Sequence, residues 1–225
     1  MSRFHLPSPN LFYTLLALAL LAPACAAQFK VTDNFNRPDG PVGLGWSTFG
    51  NGAQISGDQL KTFGKVDFGG GIQRNLDVSF PLRFSFDFST TSPSNGGWVI
   101  GFNAAGAGFD PDNDTSEVVL YQSSGSRQLC VEFQTSSGPV TQCASLADGQ
   151  RDYTAKAMVT GRLNSDFSAT VTITYNDSLQ PGEVTIRSPA PTGAKQTALG
   201  SVFFFGSINA IYAPDYFDNF TLVLM

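Results

Sequence analysis

Residues 116–145 constrain the fold of this chain most strongly, because they alternate like three short strands and are interrupted by the turn-forming clusters SSGS and SSGP. If the second chain reversal is centred between Ser136 and Ser137, Cys130 lies directly opposite Cys143. This register predicts a cross-strand disulfide. A meander of this kind indicates an all-β protein.

The first turn of the meander predicts which side chains share a face. A reversal centred between Ser124 and Gly125 places Glu117 directly opposite Glu132, on the face that also carries the two cysteines. Alternation gives the stretch an apolar face, expected to pack in a core, and a decorated face, expected to meet solvent. The second face carries carboxylates, amides and a tyrosine ring, the groups on which sugars stack and with which their hydroxyls form hydrogen bonds. We name it the candidate glycan-binding face; its residues are Glu117, Tyr121, Gln128, Glu132 and Gln134.

Residues 1–27 have the order of a secretory signal peptide, with a basic start, an apolar run and a small-residue end. The apolar run is shorter than the about 20 residues that a membrane-spanning helix needs, so no transmembrane segment is expected. Cleavage after Ala26 or Ala27 leaves one domain, residues 28–225, in an extracellular or periplasmic location. Lipid attachment at Cys25 is the alternative, since LAPAC loosely resembles a bacterial lipobox.

Charge and residue usage exclude several function classes. Only Arg3 of the 13 Lys and Arg residues, and none of the 18 Asp and Glu residues, lies in the leader, so the mature chain carries a charge of about −6. Nucleic acids and anionic membranes are therefore not expected as partners. His5, the single histidine, leaves with the leader, which excludes histidine-based catalysis and histidine-ligated metals. Pairing of Cys130 with Cys143 leaves no free thiol.

Alternating apolar residues predict further strands, and no long stretch keeps a helical period. The clearest strand is 82–88, in which Leu82 and three phenylalanines share the side expected to face the core. Trp98 is also expected in the core. The pattern predicts about a dozen strands in two packed antiparallel sheets. The other predicted strands outside the meander are 28–35, 53–55, 59–61, 98–102, 153–159, 169–175, 183–187, 201–206 and 216–224.

Several phrases of the sequence carry a family resemblance: DNFNRPDGPVGLGW at 33–46, AQISGDQLKT at 53–62, FPLRFSFDFS at 80–89, GGWVIGF at 96–102, RDYTAKAMVTGRL at 151–163 and YFDNFTL at 216–222. In their order, they resemble the concanavalin A-like lectin/glucanase jelly rolls, in particular the laminin-G-like modules of secreted bacterial proteins. The resemblance covers nearly all of 28–225 and implies a two-sheet jelly-roll β-sandwich. Lectins, carbohydrate-binding modules, hydrolases, lyases and adhesion modules share this fold, so the fold alone does not choose an activity.

Two acidic groups are candidate calcium sites. Asp110, Asp112 and Asp114 alternate in a short stretch, and calcium prefers such hard carboxylate oxygens. An acidic turn without a metal is the alternative. The resemblance implies a second, structural calcium where the first and last strands meet, because Asp33 and Asp218 occupy the matching opening and closing phrases. A polar pair on edge strands is the alternative there.

The expected function is that of a secreted, non-catalytic carbohydrate-binding or extracellular adhesion module, whose candidate glycan-binding face contacts a polysaccharide. A glycoside hydrolase or polysaccharide lyase is the first alternative. Glu117 opposite Glu132 would place two carboxyl groups at the roughly 5 Å separation of a retaining glycosidase. Two solvated surface glutamates would look the same in sequence, and the Glu-x-Asp-x-x-Glu run of family 16 glucanases is absent. A structural surface protein without a ligand is the second alternative.

Overall fold

The chain forms fifteen strands and no helix within the residues that the computed structural model describes. None of the described residues belongs to a helix that could span a membrane. The predicted signal peptide and the acidic stretch Asp110–Asp114 lie outside them. The described ranges are 29–63, 69–76, 80–90, 97–103, 117–123, 128–135, 138–145, 157–175, 182–190, 202–207 and 214–225.

The strands are short, with lengths of three to ten residues. In chain order they are β1 (Lys30–Asp33), β2 (Ser47–Gly50), β3 (Ala53–Ile55), β4 (Leu60–Thr62), β5 (Gly70–Asn75), β6 (Leu82–Thr90), β7 (Gly97–Asn103), β8 (Glu117–Ser123), β9 (Gln128–Thr135), β10 (Gly138–Ser145), β11 (Ala157–Leu163), β12 (Ala169–Tyr175), β13 (Gly182–Ser188), β14 (Val202–Ser207) and β15 (Asp215–Leu224).

These strands build two antiparallel sheets. The eight-stranded sheet has the order β13-β12-β11-β6-β15-β4-β3, and β1 pairs with the last part of β15. The seven-stranded sheet has the order β10-β9-β8-β7-β14-β5-β2. The chain passes repeatedly from one sheet to the other, which is the jelly-roll arrangement and confirms the expected fold class.

The core between the sheets is mainly aromatic. Every second residue of β6 from Leu82 to Phe88 is buried, as the alternation predicts. Trp98 of the facing sheet is fully buried, with its ring centroid 5.4 Å from that of Phe86. Phe205 packs on the same Phe86 ring at 4.9 Å. Full burial of such a side chain contributes roughly 1.5–3 kcal/mol, so this ring cluster is a major part of what holds the sheets together.

The meander of β8, β9 and β10 confirms one predicted turn and corrects the other. Cys130 pairs with Cys143 as predicted, and the disulfide is formed. The register of β8 on β9 is shifted by two residues, so Glu132 lies opposite Val119 instead of Glu117. Ser123 pairs with Gln128, so four residues connect β8 to β9 where the prediction placed two. The SSGS cluster indicates that the chain reverses, but connections of two to five residues are all common in hairpins, so it does not determine the length of the connection. A shift by two keeps each side chain on its predicted face.

Candidate functional site

The candidate glycan-binding face lies on the outer surface of the seven-stranded sheet. Two of its five residues belong to β8 and three to β9. Among their side chains, the structure describes that of Tyr121, which is half-buried against a small apolar cluster of Phe49, Val99 and Phe204. Its ring is therefore only partly open to a ligand. The five predicted residues on this face are Glu117, Tyr121, Gln128, Glu132 and Gln134.

The two glutamates considered for catalysis are not a direct cross-strand pair. Glu132 lies opposite Val119, which makes Glu117 its diagonal neighbour. Diagonal neighbours are roughly 7–8 Å apart, compared with roughly 4.5–5.5 Å between the Cβ atoms of direct partners. The hydrolase hypothesis therefore loses the close pairing on which it was based.

Asp33, at the end of β1, is the centre of a buried hydrogen-bond network. Its carboxylate accepts hydrogen bonds from Arg37 Nη1 at 2.8 Å, Arg37 Nη2 at 3.0 Å, Trp46 Nε1 at 2.9 Å and the backbone N–H of Phe35 at 2.8 Å. Burial raises the pKa of this carboxyl group, but these donors and the charge of Arg37 together hold it below its usual value. All four acceptor positions of the carboxylate are taken, so the site fits the guanidinium that occupies it better than a calcium ion.

Asp218, the other residue of the expected chain-end calcium site, has acidic neighbours. It lies directly opposite Asp87. Burial raises the pKa of Asp218, and the negative charges of Asp87, Asp33 and Asp58 raise it further. The hydrogen bond from the backbone N–H of Asn219 lowers this pKa, but by less. No cluster of three metal-ligating side chains occurs among the described residues. Calcium binding stays a prediction, which a melting temperature with and without a chelator tests, since an ion held only by the native state raises it.

A cleft that the sequence patterns did not predict opens beside Asp33, between the β1–β15 end of one sheet and the β2–β5 edge of the other. Its volume of about 470 Å³ is within the range of small-molecule sites. Its buried lining residues include Trp46 and Phe220. Leu44 adds an exposed apolar side chain. The polar side chains that line the cleft belong to Thr32, Asp33, Asn34, Arg74, Asn219 and Thr221.

Arg74 brings a positive charge to this cleft. Its guanidinium carbon lies 5.7 Å from the centroid of the Trp46 ring, in a cation–π arrangement. Within the part of the chain that the structure describes, the ion pair present is that of Arg37 with Asp33. Arg74 therefore makes no ion pair with a carboxylate among the described residues. In sequence, Arg74 is marked only by its place three residues after the glycine-rich segment 69–71.

The strand order, the paired first and last strands and the two stacked sheets define the class of the molecule. It has the concanavalin A-like lectin/glucanase fold, which confirms the resemblance in the sequence. No protein-family model matches the sequence, and no curated protein is similar enough in sequence to match it.

Solved structures with this fold are similar over most of the chain. Lectin II from Ulex europaeus is 12% identical, with a TM-score of 0.60 over 88% of this chain and 99% of its own. Lectin I from Ulex europaeus, in complex with the methyl glycoside of α-L-fucose, is 13% identical, with a TM-score of 0.57 over 87% and 97%. A prokaryotic β-1,3-1,4-glucanase (lichenase) derived from a mouse hindgut metagenome is 9% identical, with a TM-score of 0.53 over 87% and 98%. At these identities the likeness shows the fold.

Proposed function

We propose that this protein is a secreted, non-catalytic carbohydrate-binding module. The observation that carries the proposal is the cleft beside Asp33, in which amide, hydroxyl, carboxylate and guanidinium groups line a wall that also contains Trp46 and the exposed side chain of Leu44. Sugars are recognised by such mixed sites, because amides, hydroxyls and guanidinium groups hydrogen-bond sugar hydroxyls while apolar surface covers their C–H groups. The fold, shared with a lectin solved with a fucoside, supports the same function.

The Asp33 network gives this cleft a fixed shape. Asp33 holds the indole N–H of Trp46, and Arg37 donates its Nε–H to the carbonyl of Val42 at 2.8 Å. These bonds tie the loop between β1 and β2 to β1. The Trp46 ring packs edge-on against Phe220 with centroids 6.1 Å apart. A preorganised site loses less conformational entropy when it binds, which favours even a small ligand.

The cleft is tested by retention of the protein on a panel of insoluble polysaccharides, with millimolar calcium present. We expect retention of the wild type, reduced several-fold in Asn34→Ala, since one lost hydrogen bond in a binding site costs about 1 kcal/mol. Gln54→Ala is the matched control, because Gln54 is an exposed amide of β3 outside the cleft. Equal loss in the two variants would contradict the cleft as the site, and no retention of any glycan would favour a structural surface protein.

The candidate glycan-binding face stays a prediction as an additional contact surface. Tyr121→Ala tests it in the same retention assay, since the exposed part of that ring is the described group that a sugar would contact. An enzyme remains the alternative function. New reducing ends, lost in both Glu117→Gln and Glu132→Gln, would establish it.

A further inference from the structure

A row of cations crosses the outer face of the eight-stranded sheet. Cross-strand register places one residue from each of six neighbouring strands in line, each directly opposite the next. Direct partners in antiparallel strands project on the same face. From β13 to β1, this basic row consists of Arg187, Thr170, Arg162, Arg83, Val223 and Lys30.

The four cations of the basic row are exposed. In the described part of the chain, the ion pair present joins Arg37 to Asp33, so no carboxylate there neutralises the row. Arg83 and Arg162 are direct cross-strand partners. Like charges in such positions destabilise a sheet. This pair of arginines costs stability and makes no ion pair within the described structure. Its role is therefore better explained by binding a ligand than by stabilising the fold.

A second row, made only of hydroxyl side chains, runs parallel to the cations. Each of its members lies two residues from the basic row along the same strand, which is about 7 Å. One neighbouring pair is hydrogen-bonded, with 2.8 Å between the hydroxyls of Thr172 and Thr185. From β13 to β1, this hydroxyl row consists of Thr185, Thr172, Thr160, Ser85, Thr221 and Thr32.

The acidic residues of this face are set apart from the basic row. Glu183 and Asp87 lie four residues from Arg187 and Arg83 along the same strands, or about 13 Å. This distance exceeds the Debye length of about 8 Å at physiological ionic strength. Asp218 pairs with Asp87 and lies at that same distant level of the sheet. Asp166, in the turn beyond β11, accepts hydrogen bonds from Ser168 and makes no ion pair with the row among the described residues. The basic row therefore keeps a positive local potential on an acidic protein.

We propose that these two rows bind a linear anionic polysaccharide, whose acid groups pair with the cations and whose hydroxyls bond the hydroxyl row. The cations are one or two strand spacings apart, about 5 to 10 Å, which suits a chain with acid groups on successive sugars. Duplex DNA carries one charge per about 1.7 Å, far denser than the row. The row extends for about 24 Å across six strands, long enough for several sugars.

The hydroxyl row continues into the cleft beside Asp33, since its members Thr32 and Thr221 also line the cleft. The inference therefore rests on the proposed carbohydrate-binding function and names its ligand class. A single glycan chain would extend from the cleft along the sheet.

Affinity electrophoresis in gels that contain polygalacturonate, compared with gels that contain its methyl-esterified form, tests the inference. We expect stronger retardation by the charged polymer, weakened by added salt. Arg83→Gln and Arg162→Gln should each weaken it about two- to fivefold, as for an exposed ion pair. Thr170→Arg, which adds a cation to the row, should strengthen it. Lys61→Gln removes a charge from the same sheet outside the row and should have the smaller effect.

Three results would overturn this inference. One is equal retardation by the charged and esterified polymers, and another is equal loss in Lys61→Gln and Arg83→Gln. The third is equal binding of a DNA duplex or of anionic lipid vesicles, lost in the same variants, which would assign the row to another partner. Retention of neutral glycans together with any of these leaves the proposed function intact, whereas binding of no glycan at all overturns the proposed function itself. Unchanged melting temperatures of the row variants exclude unfolding as the cause.

Discussion

At the scale of single residues, the buried carboxylates decide how the molecule responds to mutation and pH. Arg37 supplies two of the four hydrogen bonds to Asp33. Arg37→Ala would leave that carboxylate buried without its counter-ion, which costs about 3 kcal/mol. Denaturant unfolding measures the loss. Arg37→Lys keeps the charge without the paired N–H groups and should cost less. An Ala variant as stable as the wild type would contradict this role.

Asp215, fully buried in β15, predicts a pH dependence of stability. Burial, opposed by hydrogen bonds from Thr90, Gly97 and Ser207, raises its pKa to about 6. Since the unfolded value is about 3.9, the native state holds this proton more tightly. The contribution of this group to stability is complete below pH 4 and decreases as the pH rises towards 6 and above.

Asp215→Asn removes this titration, because the amide stays neutral and its oxygen still accepts the N–H of Gly97. We expect the free energy of unfolding of the wild type to fall relative to the variant between pH 4 and 7, by on the order of 2 kcal/mol. Unfolding in urea at a series of pH values measures the difference. Parallel profiles for the two proteins would show that Asp215 is charged in the native state without cost.

At the scale of strands, the disulfide joins β9 to β10 at the edge of the seven-stranded sheet. The two cysteines are 13 residues apart in sequence, and closing a loop of that size stabilises a protein by about 3 kcal/mol. The double variant Cys130→Ala and Cys143→Ala should lower the melting temperature. Adding a reductant should lower that of the wild type and leave the double variant unchanged. The same melting temperature in all four samples would contradict the prediction.

Gly161 of β11 leaves space for the aromatic ring of Phe84 to lie over its strand. It pairs with Phe84 of β6, and a Cβ at this position would overlap the Phe84 ring. Gly161→Ala should therefore displace the ring and destabilise the fold by about 1–3 kcal/mol. Thr160→Ala, at the preceding residue of β11 and on the outer face of the sheet, is the control for a substitution in the same strand. Equal stability of the two variants would contradict the overlap.

Strands that alternate cleanly were predictable from sequence, and glycine-rich ones were not. The predicted strand 169–175 is β12 residue for residue. In contrast, β2 and β5 escaped prediction because glycines hide their alternation. A Cβ at Gly71 in β5 would overlap the Phe205 carbonyl oxygen and the Phe49 ring, so the glycine that obscures the strand is required by close packing.

At the scale of the whole molecule, the proposed binding surfaces depend on pairings between distant parts of the sequence. Arg83 and Arg162 become neighbours only through the pairing of β6 with β11. The cleft likewise needs β1 beside β15, which places Thr32 opposite Thr221. No local period encodes such contacts, so sequence patterns predicted the outer face of one local meander and missed both the cleft and the basic row.

The interior and the exposed faces of the fold are specified by different residues of each strand. Alternation predicted the aromatic interior, since it needs only the period within each strand. The exposed faces are free to vary without affecting that interior. A single sandwich therefore presents two outer faces and a cleft, and only their polar and charged residues distinguish a sugar-binding protein from an enzyme or an inert one.

The proposed function requires that the molecule holds a glycan in the cleft beside Asp33 without cleaving it. Retention on the polysaccharide panel and release of reducing ends, measured on the same samples, test it most directly. We expect retention that falls several-fold in Asn34→Ala, persists in Gln54→Ala and is accompanied by no new reducing ends. Failure to retain any polysaccharide, or reducing ends that accumulate with the wild-type protein, would contradict it.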